Sequence, residues 1–401
     1  MADNRTRFDY LDGLRGWAAF SVVIFHASVE SFGASVPILR TTYLGLLNDG
    51  RFAVGVFFAL SGFVLSRRYI ATQDRGSLQR MAAGRYVRLA LPVGLISFIG
   101  YVMAVNDLFP TQRAGAIIGS EWLSHGMTFG AAPSFVSFMK FWIFQVFTGW
   151  RAPMPYNWFT WTMMYELCGS YMLFATLALF GDVTGPRRLA LVAMCAVTTY
   201  IDPLYGLFFG GALLADANVA WTRRKLGLLT SPVVGNLAGL MLVAFAWASS
   251  TLVRAEYQTV YQNIPALALL AATLVSSWLQ TGLHLRPSQW LGRISFPLYL
   301  VHGYIIFGPG AWAVTVLDRL GFSTGQIAAI VVPGTIILSL IAGRLLVPVE
   351  HLAKHVAHYT GRLFTGSARL PGIDAFRRPR PERLRSGQED AEAPSPGLQG
   401  L

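Results

Sequence analysis

Apolar runs approaching twenty residues recur along the whole chain, separated by short charged or Gly/Pro-rich stretches. About 20 such residues in an α-helix cross the ~30 Å hydrocarbon core of a bilayer, and there every backbone polar group must be satisfied within the segment. That pattern directs the chain to transmembrane helices before any motif is considered. Composition agrees, since 54% of the 401 residues are hydrophobic and 13% charged, against roughly 45–50% and 25% in soluble domains. The candidate spans are 12–31, 52–71, 87–106, 158–180, 188–201, 203–216, 233–253, 264–282, 292–311 and 326–348. The fifth and sixth are short, and Asp202-Pro203 between them reads as a tight turn. Trp17 to Phe25, followed by small residues at Gly33 to Ser35, has the outline of a secretory signal. Acidic Asp3, Asp9 and Asp12 are mixed with Arg5, Arg7 and Arg15 before it, however, and it reads as an uncleaved first helix.

The expected fold is an all-α membrane protein of about ten transmembrane helices in the cell membrane, with lipids as its immediate partners. Residues 1–360 form the membrane domain, and 361–401, rich in Pro, Arg and then acidic residues, form a disordered tail. A formal charge of +12 would suit nucleic acid, but the basic residues lie between apolar segments and in the tail, so no nucleic-acid partner is expected. With the N-terminus cytoplasmic, sixteen Lys and Arg fall on the inner side before the tail and seven on the outer side. This asymmetry places both termini in the cytoplasm. The 107–157 stretch, with Trp122, Trp142 and Trp150, then lies on the outer face as a partly interfacial segment. Cys168 and Cys195 sit inside apolar segments as small hydrophobes, and no closely spaced Cys/His pattern points to a metal.

Polar residues within such helices are costly, which makes each a functional candidate. At 1.5 Å per residue, His26 lies roughly 20 Å from the inner edge of the first span. Glu166 and Ser61 fall roughly 12–14 Å below the outer edge, and His302 roughly 15 Å from the inner one. Four polar side chains on four helices are thus expected in one layer. A His/Glu cluster of this kind suits general-base chemistry, the imidazole taking a proton and a carboxylate orienting it. Glu30, four residues after His26, shares its helix face. Single histidines of this kind also serve as packing contacts between helices. Arg85 and Arg88, at i and i+3 on the inner entry to the third span, can grip one anionic ligand with bidentate geometry, or simply anchor the helix.

The first helix reads Phe8-Asp9-Tyr10-Leu11-Asp12-Gly13-Leu14-Arg15-Gly16-Trp17-Ala18-Ala19, with ten residues between Arg15 and His26. Val54-Gly55-Val56-Phe57-Phe58-Ala59-Leu60-Ser61-Gly62-Phe63, Arg85-Tyr86-Val87-Arg88 through Pro92, Trp161 to Glu166, and Gly292-Arg293-Ile294-Ser295-Phe296-Pro297-Leu298-Tyr299-Leu300-Val301-His302 follow in order. These segments resemble the acyltransferase 3 family of integral membrane O-acyltransferases, over about residues 10–345. Phe296 departs from the Tyr common at that place. The resemblance implies a cytoplasmic acyl-coenzyme A donor, in the first instance acetyl-coenzyme A, and a carbohydrate or other exported or cell-surface hydroxyl acceptor. It implies His26 as base or relay, Arg15 as its support, and Arg85 with Arg88 as donor contacts. Glu166 joins the catalytic set, with Glu30, Ser61, Ser295, Tyr299 and His302 as further candidates. Competing readings are a proton-coupled transporter using the same buried His and Glu, or a scaffold without catalysis. Acceptor identity, acyl length and oligomeric state are not legible in the sequence.

Overall fold

A computed structural model describes residues 8–40, 46–127, 132–149, 155–224, 231–252 and 263–366, and among these it contains helices and no strands. Among the described residues each of the ten apolar runs is largely helical, the eighth being divided between two helices. The first, α1, is Asp9–Phe25 continued by a π-helical turn, His26–Glu30. Then come α2 (Gly50–Thr72), α3 (Arg75–Val105), α4 (Trp158–Phe180), α5 (Thr184–Ile201), α6 (Pro203–Arg224) and α7 (Pro232–Leu252). Helix α8 is broken, Asn263–Val275 meeting Ser277–His284 at 90°. Helix α9 is a 34-residue span, Arg286–Arg319, interrupted by a second π turn at Ile306–Gly310, and α10 is Thr324–Leu345. Among the described residues seven of these are long and apolar enough alone to cross a membrane, or eight if the bent α8 counts as one. The chain is a multi-pass membrane protein.

Some boundaries differ from the sequence reading for a physical reason. The sixth span, expected to stop at 216, runs on to Arg224, because Asp216 is buried and bonded to Arg187 Nη2 and Arg188 Nε, both at 2.5 Å, on α5. The pairing offsets the charge that otherwise marks a helix end. The expected tail boundary at residue 360 falls inside a further helix, α11 (Val347–Phe364). This helix is seated on α3, with Gly361 buried against the Arg80 backbone and Gly84 against that of Ala357. Residues 367–401, the rest of the expected tail, lie outside the described residues.

Lipid-spanning helices gain little from burying apolar surface against each other, so close approach through small residues holds them together. Helices α1 and α9 cross at Gly16 and Gly292, where a Cβ on Gly16 would come 2.3 Å from the Gly292 nitrogen. Helices α2 and α6 cross at Gly62 and Gly211, where a Cβ would meet backbone oxygens of Phe208 and Ala59 at 2.0 and 2.1 Å. Backbone cannot yield as a side chain can. Gly211→Ala is therefore expected to destabilise the protein by about 1–3 kcal/mol, seen as a lower unfolding temperature in detergent. An unchanged transition would show that α2 and α6 separate freely.

Candidate functional site

Three cavities follow one another through the bundle formed by these crossings. The first, about 360 Å³, opens where α2 ends and α3 begins, and is lined by Arg68, Arg80, Arg85, Arg88, Lys354 and His358. The second, about 260 Å³, shares Arg85 and Arg88 with it, and has apolar walls from Val54, Phe57, Leu89, Met163 and Phe296. A third, about 710 Å³, shares Val54 and Tyr299 with the second, and contains His26, Glu30, Trp122, Phe159, Tyr165 and Asp202. A basic mouth, a middle cavity with both apolar and charged walls, and an aromatic chamber therefore abut in series.

Sequence-selected residues line all three. Arg15, Ser61, Glu166 and Ser295 face the middle cavity, Arg85 and Arg88 the mouth and the middle, Tyr299 the middle and the chamber, and His26 and Glu30 the chamber. His302 is fully buried behind His26. The single polar layer expected from helix depth is resolved into two pairs. His26 Nδ1 lies 3.2 Å from His302 Nε2, while Ser61 Oγ donates to Glu166 Oε1 at 2.6 Å. Glu166 is also bonded to Arg85, whose Nε donates to Ser170 Oγ at 2.9 Å. The carboxylate expected to orient His26 thus belongs to the arginine cluster, and a second histidine stands in its place. Depth along a helix does not fix rotation about it, which is why one layer became two pairs. Arg15 is likewise on the arginine side, bonded to Asp12 at 2.9 Å, rather than against His26.

Local structure explains how His26 is held. It opens the π turn of α1, and its carbonyl accepts both the Ser31 backbone N–H and, at 2.7 Å, the Ser31 hydroxyl. Its ring is stacked on Trp122, 5.6 Å between centroids and 9° between planes, and Phe159 lies at 4.6 Å. Tyr299 is fixed from below, its hydroxyl donating to the Phe159 carbonyl at 2.9 Å and lying 2.8 Å from that of Thr162.

At the mouth, Arg88 Nη2 is bonded to Glu350 Oε1 at 3.0 Å, and Lys354 Nζ reaches the same oxygen at 2.8 Å. The other terminal nitrogen, Arg88 Nη1, is buried with no hydrogen-bond partner among the described residues. A buried guanidinium N–H left unmatched is costly. Such a nitrogen can take up an anion. Glu350 and Lys354 were not picked out from the sequence, and Trp122 was read there only as an interfacial aromatic. The first two form an i, i+4 pair on a helix beyond the last apolar run. Trp122 comes from the 107–157 stretch, and only folding of that stretch over the bundle shows that it packs on His26.

The acyltransferase domain family matches residues 8–344 of the chain. The chain is 23% identical over 358 residues to the O-acetyltransferase PaAT-1 of Phomopsis amygdali, covering 74% of this chain and 72% of that protein. It is 25% identical over 334 residues to the acyltransferase MdmB of Streptomyces mycarofaciens, covering 76% of this chain and 81% of that one. No solved structure matches it. With the motif residues gathered around connected cavities inside a helical membrane bundle, the chain belongs to the acyltransferase 3 family and is a membrane-embedded transferase of acyl groups.

Proposed function

We propose that the protein is an O-acyltransferase that takes an acyl group, acetyl in the first instance, from coenzyme A at the basic mouth and passes it to a hydroxyl acceptor in the aromatic chamber. The observation that carries this reading is the serial arrangement of the cavities, with Arg85 and Arg88 shared at one junction and Val54 and Tyr299 at the next. A phosphate-bearing donor suits the unmatched Arg88 Nη1. The apolar walls of the middle cavity suit its slender arm, and the thioester then comes to the Tyr299 junction beside His26.

In the step we propose, His26 takes the proton from the acceptor hydroxyl and the oxygen attacks the thioester carbonyl. The carbon–sulfur bond breaks, and the proton passes from the imidazolium to the departing thiolate, leaving an ester and coenzyme A. A transient acyl-imidazole at the same residue is the second route, since neutral imidazole is both base and nucleophile. The acceptor is a carbohydrate or another hydroxyl compound. The Lys/Arg asymmetry supports placing the basic mouth in the cytoplasm and the chamber on the outer side of the cell membrane.

Mass spectrometry of surface glycans and small secreted metabolites, with and without the gene, should show an acetyl-sized difference on a hydroxyl. Membrane vesicles given radiolabelled acetyl-coenzyme A should form the labelled ester only when the cytoplasmic face is outward. Equal labelling of both vesicle types would remove the proposed orientation, and no gene-dependent ester would remove the proposed reaction.

A further inference from the structure

The histidine pair contains more information than proximity. His302 Nδ1 lies 2.7 Å from the backbone carbonyl oxygen of Tyr299, three residues back on its own helix. A carbonyl oxygen can only accept, so this contact is a hydrogen bond only if His302 Nδ1 carries the proton. In the neutral ring, Nε2 of His302 is then a bare lone pair. It faces His26 Nδ1 at 3.2 Å. Two lone pairs at that distance repel, so His26 Nδ1 must hold a proton and donate it. The sequence of donors is closed by the fixed carbonyl at its end.

We infer that His302 is a positioning residue, which through its bond to the Tyr299 carbonyl locks His26 as the Nδ1–H tautomer and leaves the His26 Nε2 lone pair free for the reacting proton or acyl group. His26 lines the chamber, and the contact with His302 is made through its Nδ1. Trp122 and Phe159 pack against the His26 ring, so it does not turn over readily. The role filled by a carboxylate in many histidine bases, which holds the tautomer and the ring plane, falls here to a second neutral imidazole. A neutral pair of this kind suits a site within the bilayer. The inference rests on the proposed role of His26 for its consequence, but not for its geometry.

Tautomers can be read without any substrate. In protein labelled with nitrogen-15 at its seven histidines, long-range nitrogen–proton correlation, assigned with His26→Gln and His302→Gln, should show His26 with a protonated Nδ1 and a bare Nε2. His302→Phe keeps a buried ring but removes the acceptor. It should shift His26 toward the Nε2–H form and lower transfer by about tenfold or more with coenzyme A affinity unchanged. His302→Gln offers an amide oxygen to His26 and an amide N–H to the Tyr299 carbonyl, and should restore both tautomer and part of the rate. A purely structural His302 would instead lower the folded yield without moving the His26 signals. An Nε2–H tautomer in the parental protein, or full transfer by folded His302→Phe, overturns the inference. Full transfer by His26→Gln would remove the base while leaving the tautomer assignment standing, so the two failures are told apart.

Discussion

His26→Gln is expected to fold, bind acyl-coenzyme A with parental affinity and lose transfer by about 10² or more, the usual scale for a general base. Glutamine keeps an N–H that can donate to His302 Nε2, the contact that His26 Nδ1 makes at 3.2 Å, and it fills much of the space under Trp122. It can neither take the hydroxyl proton nor carry an acyl group. A packing histidine would give the opposite result, a lower unfolding temperature with residual activity in the folded fraction. Purified variant protein, assayed for coenzyme A binding and for ester formation on the acceptor pool of the membranes, separates the two. Near-parental transfer would contradict the central role of His26 and direct attention to His302 and Glu166.

Arg88→Ala is expected to weaken donor binding by about tenfold to a hundredfold, since hydrogen bonds to charged groups contribute roughly 1.5–3 kcal/mol each. Lysine at the same place should recover only part, because a point charge cannot present two parallel N–H groups to a phosphate. Arg88 is a cleaner test than Arg85. Removing Arg85 would leave the half-buried Glu166 carboxylate with only Ser61, whereas Glu350 keeps Lys354 when Arg88 is lost. Glu350→Gln is the useful companion, because it removes the carboxylate that occupies Arg88 and should strengthen donor binding. If Arg88 were only an anchor at the membrane edge, both variants would leave coenzyme A affinity where it was.

Much of the architecture was legible because membrane insertion is governed by local properties, length and apolarity, that a single sequence displays. All ten runs became helical, the eighth as two helices, even though α6 was cut short at Asp216, whose burial depends on Arg187 and Arg188 of another helix. The 90° break at Ser276 was not anticipated. There, the serine hydroxyl accepts from the Leu279 N–H and starts a new helix inside what reads as one apolar run.

For the site, the motif residues pointed to the right side chains but not to their partners. Axial depth put His26, Ser61, Glu166 and His302 in one layer, yet which of them touch depends on how α1, α2, α4 and α9 are rotated against one another. That rotation is set by the glycine crossings, Gly16 with Gly292 and Gly62 with Gly211, and these are tertiary facts. Glu350, and the place of Trp122 beside His26, were missed for the same reason. Each comes from a segment whose chemistry is ordinary until folding brings it to the arginines or to His26.

In the proposed reaction the donor enters at the arginines and reaches His26 from within the bundle. The most direct test is an experimental structure of the protein with an acetyl-coenzyme A analogue whose thioester sulfur is replaced by a methylene group. Its phosphates should lie against Arg88 and its neighbours Arg85, Arg80 and Lys354, its arm should fill the cavity between Phe57 and Phe296, and its carbonyl should reach the Tyr299 junction facing His26 Nε2. Phosphates bound in the chamber beside Trp122, or an analogue that stays outside the middle cavity with its carbonyl remote from His26, would contradict it.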